Sequence, residues 1–116
     1  METPSLSKES VFDEIRKYSM KKDGAVEEYP WGDVAWKVSG KMFACGGEGH
    51  NTFTVKSTLD EQAYLIQNPA IEKAAYVGRY GWVTITVADE ETLALAKELV
   101  DVSYELVKPR GGRRAK

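Results

Sequence analysis

The 116-residue chain has little of what metal centres and covalent chemistry require, since it holds one cysteine, Cys45, and one histidine, His50. A single cysteine cannot close an intramolecular disulfide, and these two side chains do not complete a metal site. No run approaches the roughly 20 apolar residues that span a bilayer. Segment 1–9 carries charges and a proline where a signal peptide is apolar. These absences predict a cytoplasmic protein with no metal, disulfide or membrane anchor.

Patterns typical of cofactor binding and acid–base catalysis are also missing. The glycine-rich stretch 46–49 lacks the lysine-serine or lysine-threonine ending of a phosphate loop, and a strand pattern follows it instead of a helix. The carboxylates at 60–61 and 89–91 sit where helices begin, which favours a capping role. Glu27 and Glu28 fall on opposite faces of the predicted strand, which disfavours a carboxylate dyad. We therefore predict no catalytic residues and no cofactor.

Charge is distributed unevenly along the chain. Five of the 16 basic residues lie in the last nine positions, so residues 1–107 carry 11 basic and 18 acidic side chains. A body this acidic disfavours broad phosphate contact unless its lysines cluster on one face. A chain of this length forms one core. We interpret 1–107 as a single domain and 108–116 as a basic, disordered tail.

Three helices are predicted from capping residues and apolar spacing. Ser5 or Ser7 caps the first, Thr58 opens the second with Glu61 completing a capping box, and Asp89 caps the third. The apolar positions repeat with helical period in each. The predicted buried side of the second helix is Tyr64, Leu65 and Ile66; that of the third is Leu93, Ala96, Leu99, Val100, Ser103, Tyr104 and Val107, widened by Leu95, Val102 and Leu106.

Between these helices the apolar residues alternate with period two, as in half-buried strands. An edge strand is predicted over 25–29, a hairpin over 34–45 with Ser39-Gly40 at its turn, a third strand over 52–56, and another over 82–87. A short strand is also expected at 74–77. The order is α, three or four β, α, one or two β, α. This order predicts an α+β fold with a three-stranded antiparallel meander and a last helix that lies across a sheet.

Five elements in this order resemble the MmcQ/YjbR family: Pro30-Trp31-Gly32, the hairpin Lys37 to Ala44, Lys56, Trp82-Val83 and Ser103-Tyr104. The resemblance spans 11–107. It implies a two-layer α+β domain, an antiparallel sheet backed by helices, similar to frataxin-like and secretion-chaperone-like folds, and the order of elements agrees with this. Family members are described as DNA-binding because two hairpins can project like a pair of wings, so the resemblance implies a double-wing DNA-binding protein.

The remaining candidate site is the sheet face that the helices leave uncovered. If Val83 is buried, strand alternation places Trp82 on the other face, and the same reasoning places Lys37 and Lys56 there. A non-enzymatic module that binds DNA weakly is one interpretation. A protein-interaction or self-association module, such as a homodimer using the aromatic surface around Tyr80 and Trp82, is the alternative, and an ordinary solvated face would carry the same residue types. The candidate DNA-binding residues are Lys37, Lys41, Lys56, Arg79 and Trp82.

Overall fold

The order of helices and strands agrees with the sequence pattern, with four strands before the second helix and two after it. The computed structural model describes residues 6–29, 32–47 and 49–109. The elements are α1 (Lys8–Met20), β1 (Ala25–Glu28), β2 (Asp33–Val38), β3 (Lys41–Gly47), β4 (Thr52–Val55), α2 (Leu59–Leu65), β5 (Ile71–Lys73), a 3₁₀ helix (Val77–Tyr80), β6 (Val83–Thr86) and α3 (Glu90–Val107).

The six strands form one antiparallel sheet in the order β1-β2-β3-β4-β6-β5. The predicted hairpin joins β2 to β3, and its two turn residues, Ser39 and Gly40, have φ of 51° and 80°. Positive φ at both positions is what a two-residue type I′ turn requires. A register shift between Trp36 and Lys37 lets β3 bury two consecutive residues, Phe43 and Ala44.

Both long helices pack against the same face of the sheet. The ring of Phe12 in α1 lies 5.8 Å from that of Trp36, and Tyr104 in α3 meets Phe43 edge-on at 5.3 Å. These aromatic residues belong to a single core cluster that also includes Phe53. On the opposite face most side chains are polar or partly exposed, although Ala35 is buried. The predicted two-layer α+β architecture is confirmed.

The third helix forms as its sequence indicates. The carboxylate of Asp89 accepts from the Thr92 amide at 2.9 Å, and the threonine hydroxyl completes a capping box. All seven residues of the predicted stripe are buried. The expected widening is only partly right: Leu95 packs against the core, whereas Val102 and Leu106 are exposed because they lie on the solvent side of the helix.

The segment between α2 and β6 differs from the prediction. The strand expected at 74–77 is wrong: β5 ends at Lys73, and the backbone then turns, with the Gly78 amide bonding to the carbonyl of Ala74 at 3.0 Å. In α2 the predicted apolar side is also wrong for Tyr64, which is 71 % exposed. Gln62 is buried in its place because its amide nitrogen donates to two backbone carbonyls of the following segment.

Three predicted features fall on positions outside the described residues. They are most of the proline-tryptophan-glycine turn at 30–31, the middle of the glycine-rich stretch at Glu48, and the tail from Arg110 onward. Within the described ranges, no helix is both long and apolar enough to cross a bilayer.

Candidate binding cleft

A cleft of about 330 Å³ lies where β3 begins, β4 ends and β6 begins, at one end of the sheet. It brings together three of the five residues predicted as DNA contacts, Lys41, Lys56 and Trp82. The rest of its lining is apolar and includes the last turn of α3. The lining residues are Lys41, Met42, Lys56, Trp82, Leu106 and Val107.

Lys56 and Trp82 are neighbours because of the pairing between β4 and β6. Val55 is paired with Val83, and antiparallel strands place the residues just beyond that pair side by side. The next link is a hydrogen bond of 2.5 Å from the Ser57 hydroxyl to the carbonyl of Gly81. The spacing between the lysine and the indole is therefore fixed by backbone pairing on both sides of it.

Gly81 allows this close approach of the two chain segments. Its φ of +101° lies in the left-handed region, and a Cβ added there would stand 2.5 Å from the carbonyl oxygen of Ser57. Gln62 completes the support, since its side-chain amide donates to the carbonyl of Trp82 at 2.9 Å. The backbone that carries the indole is thus held by contacts from two directions.

Ser103 joins α3 to the cleft. Its buried hydroxyl accepts a hydrogen bond from the Lys56 amide at 2.9 Å and donates to the carbonyl of Phe43 at 2.5 Å. One side chain therefore satisfies two backbone groups on different strands. It also fixes how α3 lies along the sheet, which sets Leu106 and Val107 against the cleft.

The two lysines of the cleft carry uncompensated charge. Among the described residues, no carboxylate lies within 4.0 Å of the ammonium nitrogen of Lys41 or Lys56. Lys41 is exposed and Lys56 partly so. Beside them, Trp82 is partly exposed. The arrangement can bind an anionic group next to a flat apolar one.

The other two predicted residues lie outside the cleft. Lys37 is on the uncovered sheet face, where its ammonium group pairs with Glu28 at 2.8 Å. Arg79 is exposed on the 3₁₀ helix, with its guanidinium 5.0 Å from the ring centre of Tyr80. The predicted set therefore divides into three residues that converge and two that do not.

The uncovered face itself is neutral at its centre. The hydroxyls of Thr54 and Thr84 share a hydrogen bond of 2.8 Å across β4 and β6. Cys45 stands opposite Thr54 in the neighbouring strand. Burial raises the pKa of its thiol, and the carboxylate of Asp33 raises it further. Lys41, Lys56 and Trp82 lie at the end of the sheet and not at the centre of this face.

The comparisons with known proteins identify the family of this chain. A family model described as YjbR matches residues 20–106. The chain belongs to the YjbR family. The resemblance noted from the sequence is thereby confirmed, whereas a search of curated proteins returned no match.

Two crystal structures show the same fold as this YjbR chain. One is Deinococcus radiodurans protein DR2400, with a DUF419 domain; it has a TM-score of 0.74 and 22 % sequence identity over 86 % of this chain and 80 % of the other. The second is a Pseudomonas syringae protein with a TM-score of 0.65 and 16 % identity over 83 % of this chain and 97 % of the other.

Glu27, weighed from the sequence as a possible acid and set aside, has a structural role in this YjbR domain. Its carboxylate accepts from Arg16 at 2.9 and 2.7 Å, from the indole of Trp36 at 2.8 Å, and from the hydroxyl of Tyr29. Burial alone would raise its pKa, but the hydrogen bonds from Tyr29, Arg16 and Trp36 outweigh it, so the pKa is lowered. The group ties the edge strand β1 to α1 and to the core.

The sequence pattern did not predict the apolar part of the cleft lining. Met42 and Leu106 reach it from β3 and α3, and only the tertiary arrangement brings them together. The serine-tyrosine pair in α3 was the available signal, because Ser103 makes the contact that sets this arrangement. Within the described part of the chain, no three His, Cys, Asp or Glu side chains are grouped as a metal site would need.

Proposed function

We propose that this YjbR protein is a non-enzymatic module that binds DNA weakly through the cleft at the end of its sheet. The observation that supports this most is the convergence of Lys41 and Lys56, both without an acidic partner among the described residues, on the partly exposed indole of Trp82. Ammonium groups neutralise phosphates, and an indole face can stack on a base.

The expected affinity is low. Sequence-independent binding depends on the number of phosphates neutralised, and this cleft offers two lysines. Two further lysines are already engaged, since Lys37 pairs with Glu28 and Lys108 with Glu105 at 2.9 Å. The basic residues beyond position 109 add positive charge that can strengthen the attraction.

The proposal is tested by measuring the fluorescence anisotropy of labelled DNA, both single-stranded and duplex, over a range of salt concentrations. The double variant Lys41→Ala/Lys56→Ala should bind more weakly than the parent chain. Its slope of log affinity against log salt should be shallower by roughly 1.4 on single strands, since each lost phosphate contact removes about 0.7. Lys8→Ala is the matched control, because it removes an exposed lysine at the start of α1, away from the cleft-lining residues.

A second full-length variant separates the tail from the cleft. Changing Arg110, Arg113, Arg114 and Lys116 to glutamine removes four of the five positive charges of the tail without shortening the chain, and only Lys108 keeps its charge. The proposal expects residual binding that still depends on Lys41 and Lys56. It is wrong if binding disappears with the tail charges, or if the double variant behaves like Lys8→Ala.

An exposed aromatic surface favours a second candidate, a protein-interaction or self-association module. Four large apolar side chains on α2 and the adjoining 3₁₀ segment are exposed: Leu59, Tyr64, Tyr76 and Tyr80. Tyr76 is 95 % exposed and has a φ of 65°, which non-glycine residues adopt rarely. Sedimentation should then show a concentration-dependent dimer that Tyr76→Ser weakens, and a monomer at every concentration would count against self-association.

A further inference from the structure

We infer that the cleft accepts one unstacked nucleobase, so that the nucleic acid it binds is single-stranded and not duplex. This inference rests on the proposed function and specifies its ligand. It follows from the size of the cleft, from the constrained backbone of Trp82, and from the charge of the lining. Among the described lining residues, Lys41 and Lys56 are the only cations.

The size of the cleft suits a single base. Its volume of about 330 Å³ is at the lower end of the roughly 300–1,000 Å³ typical of small-molecule sites. A base inside a duplex presents only its edge, since both of its faces are stacked on neighbours. An unpaired base can turn out of its strand and insert a face. The apolar lining from Met42, Leu106 and Val107 suits such a face.

Hydrogen bonds constrain the backbone of Trp82, the residue that would stack on the base. Its carbonyl accepts a hydrogen bond from the Gln62 side chain at 2.9 Å and another from the Ala74 amide at 3.1 Å. The preceding residue, Gly81, is locked against Ser57. These contacts fix the backbone from which the indole extends, and stacking on an indole is tolerant of base identity.

The charges around the cleft disfavour a duplex. A duplex is bound through a series of phosphates along both strands, which calls for an extended row of cations. Here Lys41 and Lys56 serve one position, while Lys37 and Lys108 are paired with carboxylates. Residues 1–107 carry more acidic than basic side chains, which opposes a second line of phosphates.

The test compares a short oligothymidylate with a duplex of equal length, using the full-length chain with its tail charges changed to glutamine. The oligothymidylate should bind at least about tenfold more tightly. Trp82→Ala should weaken single-strand binding at least about fivefold, the lower end for loss of one stacked base, and leave duplex binding unchanged. Trp82→Phe, which keeps an aromatic face, should retain most of the affinity.

A fluorescence measurement does not depend on how well Trp82→Ala folds. In a Trp31→Phe chain the remaining indoles are Trp82 and the fully buried Trp36, so quenching by added oligothymidylate reports on Trp82. Duplex binding as tight as single-strand binding, or bound oligothymidylate without quenching, would overturn the single-strand inference and leave the proposed function standing. Failure of both nucleic acids to bind would overturn both.

Discussion

Removing the carboxylate of Glu27 should destabilise the fold far more than removing that of its neighbour Glu28. In Glu27→Ala the indole N–H of Trp36, which is fully buried, is left without its acceptor, at a cost of about 1–3 kcal/mol. The ion pair with Arg16 adds less than about 1 kcal/mol, because the arginine side chain is 41 % exposed. The expected loss in unfolding free energy is about 2–3 kcal/mol.

Glu28→Ala is the matched control, since it changes the next residue of the same edge strand on the opposite face. Its ion pair with Lys37 is solvent-exposed, so the loss should be no more than about 1 kcal/mol. Glu27→Gln should fall between the two, because the amide oxygen can still accept from Trp36. Urea denaturation at neutral pH measures all three. Equal losses for Glu27→Ala and Glu28→Ala would refute the reasoning.

The same carboxylate gives a pH dependence of known sign. Its pKa is lowered in the folded chain, so its stabilising effect is complete above the unfolded value of about 4.3 and is lost as the pH falls through the lower folded value. Parent and Glu27→Gln should therefore differ in unfolding free energy at neutral pH and converge under acid conditions. A difference that stays constant from neutral pH down to strong acid would contradict this assignment.

Three further predictions concern single residues. Gly81→Ala should cost more stability than Gly40→Ala in thermal unfolding, because both sites have positive φ but only at Gly81 would a Cβ meet backbone, and equal costs would contradict this. Ser103→Ala should lose about 1–3 kcal/mol in urea denaturation, since it leaves a buried amide and a buried carbonyl unpaired; an unchanged midpoint would refute it. Alkylation of Cys45 at neutral pH should be slow and should accelerate in Asp33→Asn, because burial and the Asp33 carboxylate both raise the thiol pKa; an unchanged rate would exclude the carboxylate's part.

The elements predicted best are those in which one periodicity dominates. The seven-residue stripe of α3 and the alternation of Val83, Ile85 and Val87 identify buried faces correctly, because α3 packs one side against the sheet and β6 buries the side that faces the helices. The short α2 is different. Its single buried side chain, Gln62, is polar, and the carbonyls that satisfy it belong to a segment 16 to 20 residues later, which no local pattern reveals.

The sequence predicted which residue types belong to the candidate site, but not where in the fold they meet. Strand alternation put Lys37, Lys56 and Trp82 on one sheet face, and the structure gathers Lys41, Lys56 and Trp82 at the end of the sheet. Strand alternation predicts the sheet face on which a side chain lies. The neighbours of a side chain at the end of a strand depend also on the position of the helix that packs beside it. Here that seating depends on the hydroxyl of Ser103, through contacts 47 and 60 residues away in sequence.

The strand order divides the sheet into two groups of strands that separate fragments of the chain could form. Strands β1 to β4 follow one another along the sequence, β5 and β6 form a second consecutive pair, and the two groups meet only where β4 lies beside β6. Fragments divided in the loop after α2 would each keep their own strand pairs, and Gln62 on one would find its carbonyl partners on the other. We expect two such fragments, expressed separately, to reassemble into the whole domain when mixed.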